Sequence, residues 1–320
     1  MTRRLIAVLL CAVCPQFAMA QNPAQWPTKA VRFITAFPVG GSSDQVARIV
    51  AERLTSILGQ QIIIDNRSGG NGVAGTALAA AAAPDGYSFL VVFDSHATNP
   101  SLQKGIPYDT AKAFTPVMLF ASSPYALAVA PTSPYRSLAD LIAAAKAKPG
   151  ELTLGSSGVG SRGHLAMALL EQRAGFRITQ VPYRGPAQAM TDVIGGQITM
   201  MFDIIGTGRN YIHSGKVRAI AVTSRERNAS LPDTPTMREM GIADYEVGGW
   251  YGLFGPLKLA PEFVARVNEA TRKALAAEEL KNKLIEQGYD LWTGSPQLLS
   301  ERTARELALW GTVAKNVPQQ

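Results

Sequence analysis

The stretch that most constrains this chain is residues 31–54: a β-branched and aromatic run, a turn containing Pro38, Gly40 and Gly41, then apolar residues at helical spacing. Residues 31–37 read as a buried strand, and Pro38 has no N–H with which to extend a ladder. Val46, Ile49, Val50 and Leu54 alternate with Arg48, Glu52 and Arg53, so an amphipathic helix follows. Ser42, Ser43 or Asp44 can cap it, while Gly40 and Gly41 let backbone approach a ligand closely. Free N–H groups and the positive end of the helix dipole then point at whatever lies beyond the strand. Such a turn suits an anion, a carboxylate as well as a phosphate. The alternative is an ordinary strand-to-helix turn that binds nothing.

The same alternation continues along the chain. Strands are expected at 61–64, 89–93 and 125–130, with helices at 73–83 and 138–147. The pattern then restarts: strand 152–154, a Gly/Ser turn to Gly163, helix 164–174, strand 178–181, helix 186–194, and strands 198–202 and 219–222. Alternation of this kind implies an α/β fold, a parallel sheet with helices on both faces. Two such series, each with its own glycine-rich turn, predict two similar lobes. Residues 245–256 are aromatic and strand-like, and three helical patterns follow at 261–277, 278–286 and 296–315 without the strands of a third lobe. The economical reading is that the chain crosses back there and these helices pack onto the first lobe.

Composition narrows the function classes. Arg3 and Arg4 precede a short apolar run, and Ala18-Met19-Ala20 follows, so residues 1–20 read as a secretory signal peptide cleaved after Ala20. Both cysteines, Cys11 and Cys14, lie inside it, which removes disulfides, thiolate metal sites and cysteine nucleophiles from the mature chain. No later apolar stretch is long and charge-free enough for a membrane span. The formal charge of +7 is scattered rather than clustered with aromatics, so no nucleic-acid partner is expected. A mildly positive surface slightly favours anionic small molecules.

Two segments match the dinucleotide fingerprint G-x-G-x-x-G, at 70–75 and at 158–163. A ribose-binding acid is missing after the second, where Val181-Pro182-Tyr183-Arg184 stands, and Asp94 is the better-placed candidate after the first. Two matches in one chain show how unspecific the pattern is, and no cofactor is expected. The turn from Ser156 to Arg162 reads better as a second anion cradle of hydroxyls and backbone N–H groups. Ser157 and Ser161 sit on that turn without the G-x-S-x-G elbow of a hydrolase. His96 ends a strand in a polar loop, 94–100, from which it can face a cleft. His164 opens a helix and orders the turn, and His213 lies on a helical surface stretch. With no histidines at i, i+4 and no carboxylate cluster, no metal site is expected.

A longer set of motifs carries a resemblance. It comprises Trp26-Pro27; Phe37-Pro38-x-Gly40-Gly41 with Asp44; Asp65-Asn66-Arg67; Ala83-Pro84-Asp85-Gly86-Tyr87; and His96-Ala97-x-Asn99-Pro100-Ser101-Leu102. Further on stand Pro107-Tyr108-Asp109, Gly158-x-Gly160-Ser161-x-x-His164-Leu165, Val181-Pro182-Tyr183-Arg184-Gly185, Gly195-Gly196-Gln197 with Met201-Phe202-Asp203, and Leu231-Pro232-Asp233-x-Pro235-Thr236. In this order they resemble the Bug-type extracytoplasmic solute receptors of the tripartite tricarboxylate transporters, over nearly the whole mature chain.

That resemblance implies a two-lobed periplasmic binding protein of type II-like architecture, its lobes joined by two crossover strands and closing on a ligand between them. Lobe 1 would comprise residues 21–123 and 250–320, and lobe 2 residues 124–249. The function implied is capture of a small carboxylate (a di- or tricarboxylate, an acidic amino acid or an aromatic acid) in the periplasm for a membrane permease, by a monomer. In the family a ligand carboxylate is held by one loop from each lobe, largely through backbone N–H groups, hydroxyls and water. The ligand-binding residues expected are Phe37, Pro38, Gly40, Gly41, Ser42, Asp44, His96, Asn99, Ser156, Ser157, Gly160, Ser161, Arg162 and Asp203. Two positions depart from the family pattern. Arg162 stands where a small or neutral residue is common, and either grips a second carboxylate or points to solvent. Asp203 is followed by Ile204-Ile205-Gly206-Thr207-Gly208-Arg209 rather than a polar, proline-containing run. The opposing classes are an exported serine hydrolase using Ser157 or Ser161 with His96, and a ligand sensor for a signalling partner.

Overall fold

Three parallel strands open the first lobe in the computed structural model, which describes residues 25–156, 161–183 and 185–316. β1 (Val31–Thr35) lies between β2 (Ile62–Asn66) and β3 (Ser88–Val92), with Phe33 in register with Ile64 and Phe89. Parallel neighbours need crossover connections, and α1 (Ser42–Leu58) and α2 (Val73–Ala80) supply them. α1 buries Val46, Val50 and Leu54 against Phe33 and Phe89. α2 comes close to β1 because residue 75 is glycine: a Cβ there would stand 2.5 Å from the Arg67 carbonyl and 2.8 Å from the Ala36 Cα.

The long strand β4 (Phe114–Val129) belongs to both lobes. Its first part pairs antiparallel with β9 (Gly248–Pro256), from Phe114 opposite Pro256 to Pro124 opposite Gly248. Its second part pairs with β7 (Met200–Ile204) and β8 (Arg218–Val222). The sequence pattern suggests a strand only over 125–130, because Pro116 and Pro124 interrupt the run. The structure absorbs Pro116 at a register shift against β9 and sets Pro124 at the last pair of that ladder.

In the second lobe β5 (Thr153–Ser156) runs parallel to β6 (Thr179–Pro182) and β7. Helices α4 (Leu138–Ala147), α5 (Arg162–Ala174), α6 (Pro186–Ile194) and α7 (Ile205–His213) cover it. The sheet order is β2-β1-β3-β9-β4-β7-β5-β6, with β8 and the short β10 (Asp290–Leu291) also on β4. Each lobe has its own core: Phe33, Phe89, Tyr251 and Phe263 in the first, Leu127, Leu154, Leu165 and Met200 in the second.

The C-terminal helices do not all behave as their sequence suggests. α8 (Pro261–Leu275) and α9 (Glu278–Glu286) put Phe263, Val267, Leu280 and Leu284 into the first core. α10 (Pro296–Val313) instead bridges the lobes. Its Leu299 packs with Ile34, Leu90 and Trp250, whereas Trp310 and Val313 enter the second core. At 18 residues it is about 27 Å long, enough to reach from one core to the other. Helical periodicity tells which face is buried, not what covers it.

The strands cross between lobes at Ser122–Tyr125 and at Val247–Trp250, and Thr223 ties them together. Its N–H donates to the Tyr125 carbonyl at 2.9 Å, its hydroxyl accepts from the Tyr125 N–H at 2.8 Å, and its carbonyl accepts from the Val247 N–H at 3.1 Å. The hydroxyl also donates to the Val247 carbonyl, and the residue is wholly buried. Thr223→Val keeps the shape and the main-chain bonds but strands the Tyr125 N–H and Val247 carbonyl that the hydroxyl serves, so it is expected to cost about 1–3 kcal/mol in denaturant unfolding, with Thr223→Ser much milder. Equal stability of the Val and Ser variants would refute this role.

Candidate functional site

In sheets of this kind ligands bind beyond the carboxyl ends of the parallel strands. There β1 leads into α1 and β5 leads towards α5, one in each lobe. α1 begins at Ser42 with Gly41 as its N-cap, and no side chain caps it. Its first ladder bond runs from the Gln45 N–H to the Gly41 carbonyl at 3.0 Å. The amides of Ser42, Ser43 and Asp44 are therefore the donors this helix end offers. α5 begins at Arg162 with Ser161 as its N-cap, again without a side-chain cap. Each helix adds the positive end of its dipole.

The glycines act differently from the expectation. The Gly40 N–H donates to Asp44 Oδ2 at 2.9 Å, and the Gly41 N–H donates to the Pro38 carbonyl at 3.2 Å. Neither amide is presented to a ligand; the donors lie in the residues that follow. Gly40 takes φ +81°, a conformation that favours glycine, whereas Gly41 at φ −68° does not need it.

Asp44 is not the helix cap. It is buried, and besides the Gly40 N–H it accepts from Asn66 Nδ2 at 3.0 Å and pairs with Arg48 at 2.9 Å. Burial pushes its pKa up, but the bonds from Arg48, Gly40 and Asn66 outweigh that and hold it below the ordinary value. Asn66 also donates to Thr35 Oγ1 at 2.7 Å and to the Phe37 carbonyl at 3.1 Å. The end of β2 thus staples the β1–α1 loop. This role of Asn66 was not among the expected site residues; its only sequence signal is the Asp65-Asn66-Arg67 motif. Pro38 stands exposed on the loop, and Phe37, half-buried, packs edge-on against Phe93 at 5.9 Å.

His96 and Asn99 turn out to be structural. The expected polar loop is a helix, α3 (Ser95–Leu102). His96 is 3% exposed, with its ring 5.2 Å from Phe114 and 5.3 Å from Phe254, and neither ring nitrogen has a hydrogen-bond partner. Burial drives its pKa down to about 3. A neutral imidazole sealed in aromatics neither faces a ligand nor serves as a base. Asn99 donates to the Asn71 carbonyl at 2.9 Å and accepts from Asn71 Nδ2 at 3.0 Å, which clasps α3 to the turn before α2.

Asp203, at the end of β7, is buried, and its Oδ1 accepts from the Ile204 N–H at 2.9 Å and Thr207 Oγ1 at 3.0 Å. Burial outweighs these bonds and raises its pKa to about 6. It organises the first turn of α7 rather than presenting a free carboxylate. A Cβ on Gly208 would stand 3.0 Å from Asp203 Oδ2, which explains the glycine there. Ser156 is buried at the end of β5, and Ser161 takes the N-cap position, while Ser157 and Gly160 lie outside the described residues.

Arg162 does not point to solvent. Its Nε lies 2.9 Å from Asp94 Oδ2, its Nη1 3.1 Å from Glu306 Oε2, and its guanidinium stacks 4.5 Å from the Trp310 ring centroid. Its side chain is 5% exposed, and its Nη2 has no hydrogen-bond partner among the described residues. It reaches across to Asp94 of the first lobe because buried acids there supply the compensation that a buried guanidinium requires. Burial first, and then the Glu306 charge, raise Asp94 to about 6 against the pull of Arg162.

The tripartite tricarboxylate transporter family receptor model matches residues 46–318. The chain belongs to that family. Its members are substrate-binding receptors rather than enzymes. Among solved structures, Rpa4515 of R. palustris with adipate is 35% identical, with TM-score 0.81 over 92% of this chain and 100% of that one. The periplasmic binding protein BugD is 31% identical, with TM-score 0.77 over 92% and 100% of the two chains. MatC of Rhodopseudomonas palustris with bound malate is 29% identical, with TM-score 0.77 over 90% and 100%. The receptor fold thus agrees with the two-lobed architecture expected from the sequence.

Two outcomes follow for the receptor. Between pH 6.5 and 3 the unfolded chain binds a proton at His96 that the folded one excludes, so stability is lost as pH falls through that window. His96→Phe should abolish this loss. Its stability relative to wild type should therefore rise by roughly 2 kcal/mol between pH 7 and pH 5 in urea titrations; a constant difference would contradict the assignment. Asp44→Ala should cost about 2–4 kcal/mol by the same method, well beyond an ordinary cap, with Asp44→Asn intermediate. A loss no larger than a simple cap's would show that the Gly40 and Asn66 contacts contribute little.

Proposed function

We propose that this receptor captures a small carboxylate between its lobes and delivers it to a membrane permease. Candidate ligands are a di- or tricarboxylate, an acidic amino acid or an aromatic acid. The observation that carries the proposal is the pair of helix amino ends without side-chain caps, α1 in the first lobe and α5 in the second. Both follow the carboxyl end of a parallel strand. Backbone amides there attract an anion without burying a counter-charge and its desolvation penalty. The adipate and malate recorded with two similar receptors support the carboxylate class. In this reading the chain is exported by a signal peptide over residues 1–20, cleaved after Ala20, and acts in the periplasm as a monomer. Closure turns on β4 and β9, since only a closed form lets both helix ends engage one ligand.

Ser42→Pro tests the reading at one donor. Ser42 is the first helical residue, where proline is well tolerated, and Gly41 before it, at ψ 163°, already has the extended backbone that proline demands. The variant therefore removes the Ser42 N–H together with its hydroxyl and leaves the helix intact, and Ser42→Ala, which keeps the N–H, isolates the hydroxyl's share. If the amide holds a carboxylate, calorimetric affinity for a binding acid found among adipate, malate and related carboxylates should fall about tenfold to a hundredfold, with little change in melting temperature. Wild-type affinity in Ser42→Pro would show that the end of α1 is not the site, and a wild-type protein that binds no carboxylate would overturn the function.

A further inference from the structure

We infer that Arg162 is a positioning residue for the cleft: the ion bridge it makes to Asp94 and Glu306 anchors the amino end of α5 against the first lobe and sets how far the lobes stand apart before ligand arrives. The ligand arm of this inference rests on the receptor reading above, whereas its geometry does not.

The bridge joins three elements at one buried point. Asp94 follows β3 in the first lobe, Arg162 is the first residue of α5 in the second, and Glu306 lies on the bridging helix α10. They are 1%, 8% and 3% exposed. Two different guanidinium nitrogens take the two acids, and the Trp310 ring fixes the plane, so the planar fork defines an angle as well as a distance. Glu306 is itself held from elsewhere. Its Oε1 pairs with Arg302 Nη2 at 3.0 Å, its Oε2 accepts from Trp310 Nε1, and Arg302 continues to Glu246 at 2.8 Å.

A cation in the first turn of a helix opposes the helix dipole, so local helix energetics do not explain an arginine at this place. The contact with Asp94 does. Buried ion pairs add little net stability over well-packed apolar residues, which leaves fixing a geometry as the role consistent with this one. It also resists gradual change. Lobe rotation that separated Arg162 from Asp94 would strand the buried Asp94 carboxylate and leave Arg162 to Glu306 alone, so opening is either pivoted at this bridge or opposed by it.

Four variants test the inference: Arg162→Lys, Arg162→Met, Asp94→Asn, and the double variant Asp94→Leu with Arg162→Met, which leaves Glu306 its Arg302 and Trp310 partners. The measurements are the radius of gyration of the ligand-free protein by small-angle scattering, melting temperature, and calorimetric affinity for adipate and malate. Arg162→Lys and Asp94→Asn are expected to shift the ligand-free radius of gyration and to weaken affinity about tenfold. The double variant strands no charge. It should melt close to wild type and still show both the altered radius and the weaker binding. A folded double variant with wild-type radius and affinity would overturn the inference. So would affinity losses that merely track melting temperature while the radius stays constant. If wild type binds neither acid the receptor reading loses its ligand, and the radius of gyration still decides whether Arg162 sets the lobe spacing.

Discussion

Everything in this molecule hangs on the antiparallel pairing of β4 with β9. β4 supplies ladder partners to both lobes, and β9 returns the chain to the first through the same crossing. A strand pair can twist and bend without losing its hydrogen bonds, so lobes joined this way can move while their cores stay intact. Thr223 keeps that crossing polar yet satisfied, and its hydroxyl touches both connections. Around it the two hydrophobic cores remain separate, and α10, like β4 itself, contributes residues to clusters on either side. The hinge is thus flanked by a helix that must accommodate any movement.

The receptor pairs several of its buried charges internally. The buried Arg162 is spent on Asp94 and Glu306, and Asp44 is spent on Arg48, Asn66 and the Gly40 amide. The helix ends are left with neutral donors. An anion met by amides avoids the desolvation of a full counter-charge, and its affinity then depends on how well those amides are placed. The Asn66 staple and the Asn99 clasp both fix loops by bonds within the chain.

Buried titratable groups pull stability in opposite directions with pH. Asp94, Asp203 and Asp290 are each raised to about 6, mainly by burial. Their folded-state pKa exceeds the unfolded one, so the stability they contribute is present at acid pH and lost as pH rises through 6. His96, lowered to about 3, does the reverse and penalises the folded state as pH falls. The two trends partly cancel between pH 4 and 6.

Local patterns in the sequence determined a great deal. The β-branched runs and the helical stripes named the α/β class, α6 and α9 match their predicted spans, and the chain's motifs carried the receptor family. The strand-to-helix turns were legible because Pro, Gly and small polar residues report backbone geometry directly. What a side chain meets across the fold was not. Asp44 looks like a cap in sequence and proves to be the buried anchor of a loop; His96 looks like a cleft residue and lies among Phe114 and Phe254. Arg162 offered solvent or ligand as partners, yet it found an acid more than sixty residues earlier and another more than a hundred later. Periodicity fixes which face of an element is buried, but partners distant in sequence are chosen only when the sheet order brings β3, α5 and α10 together.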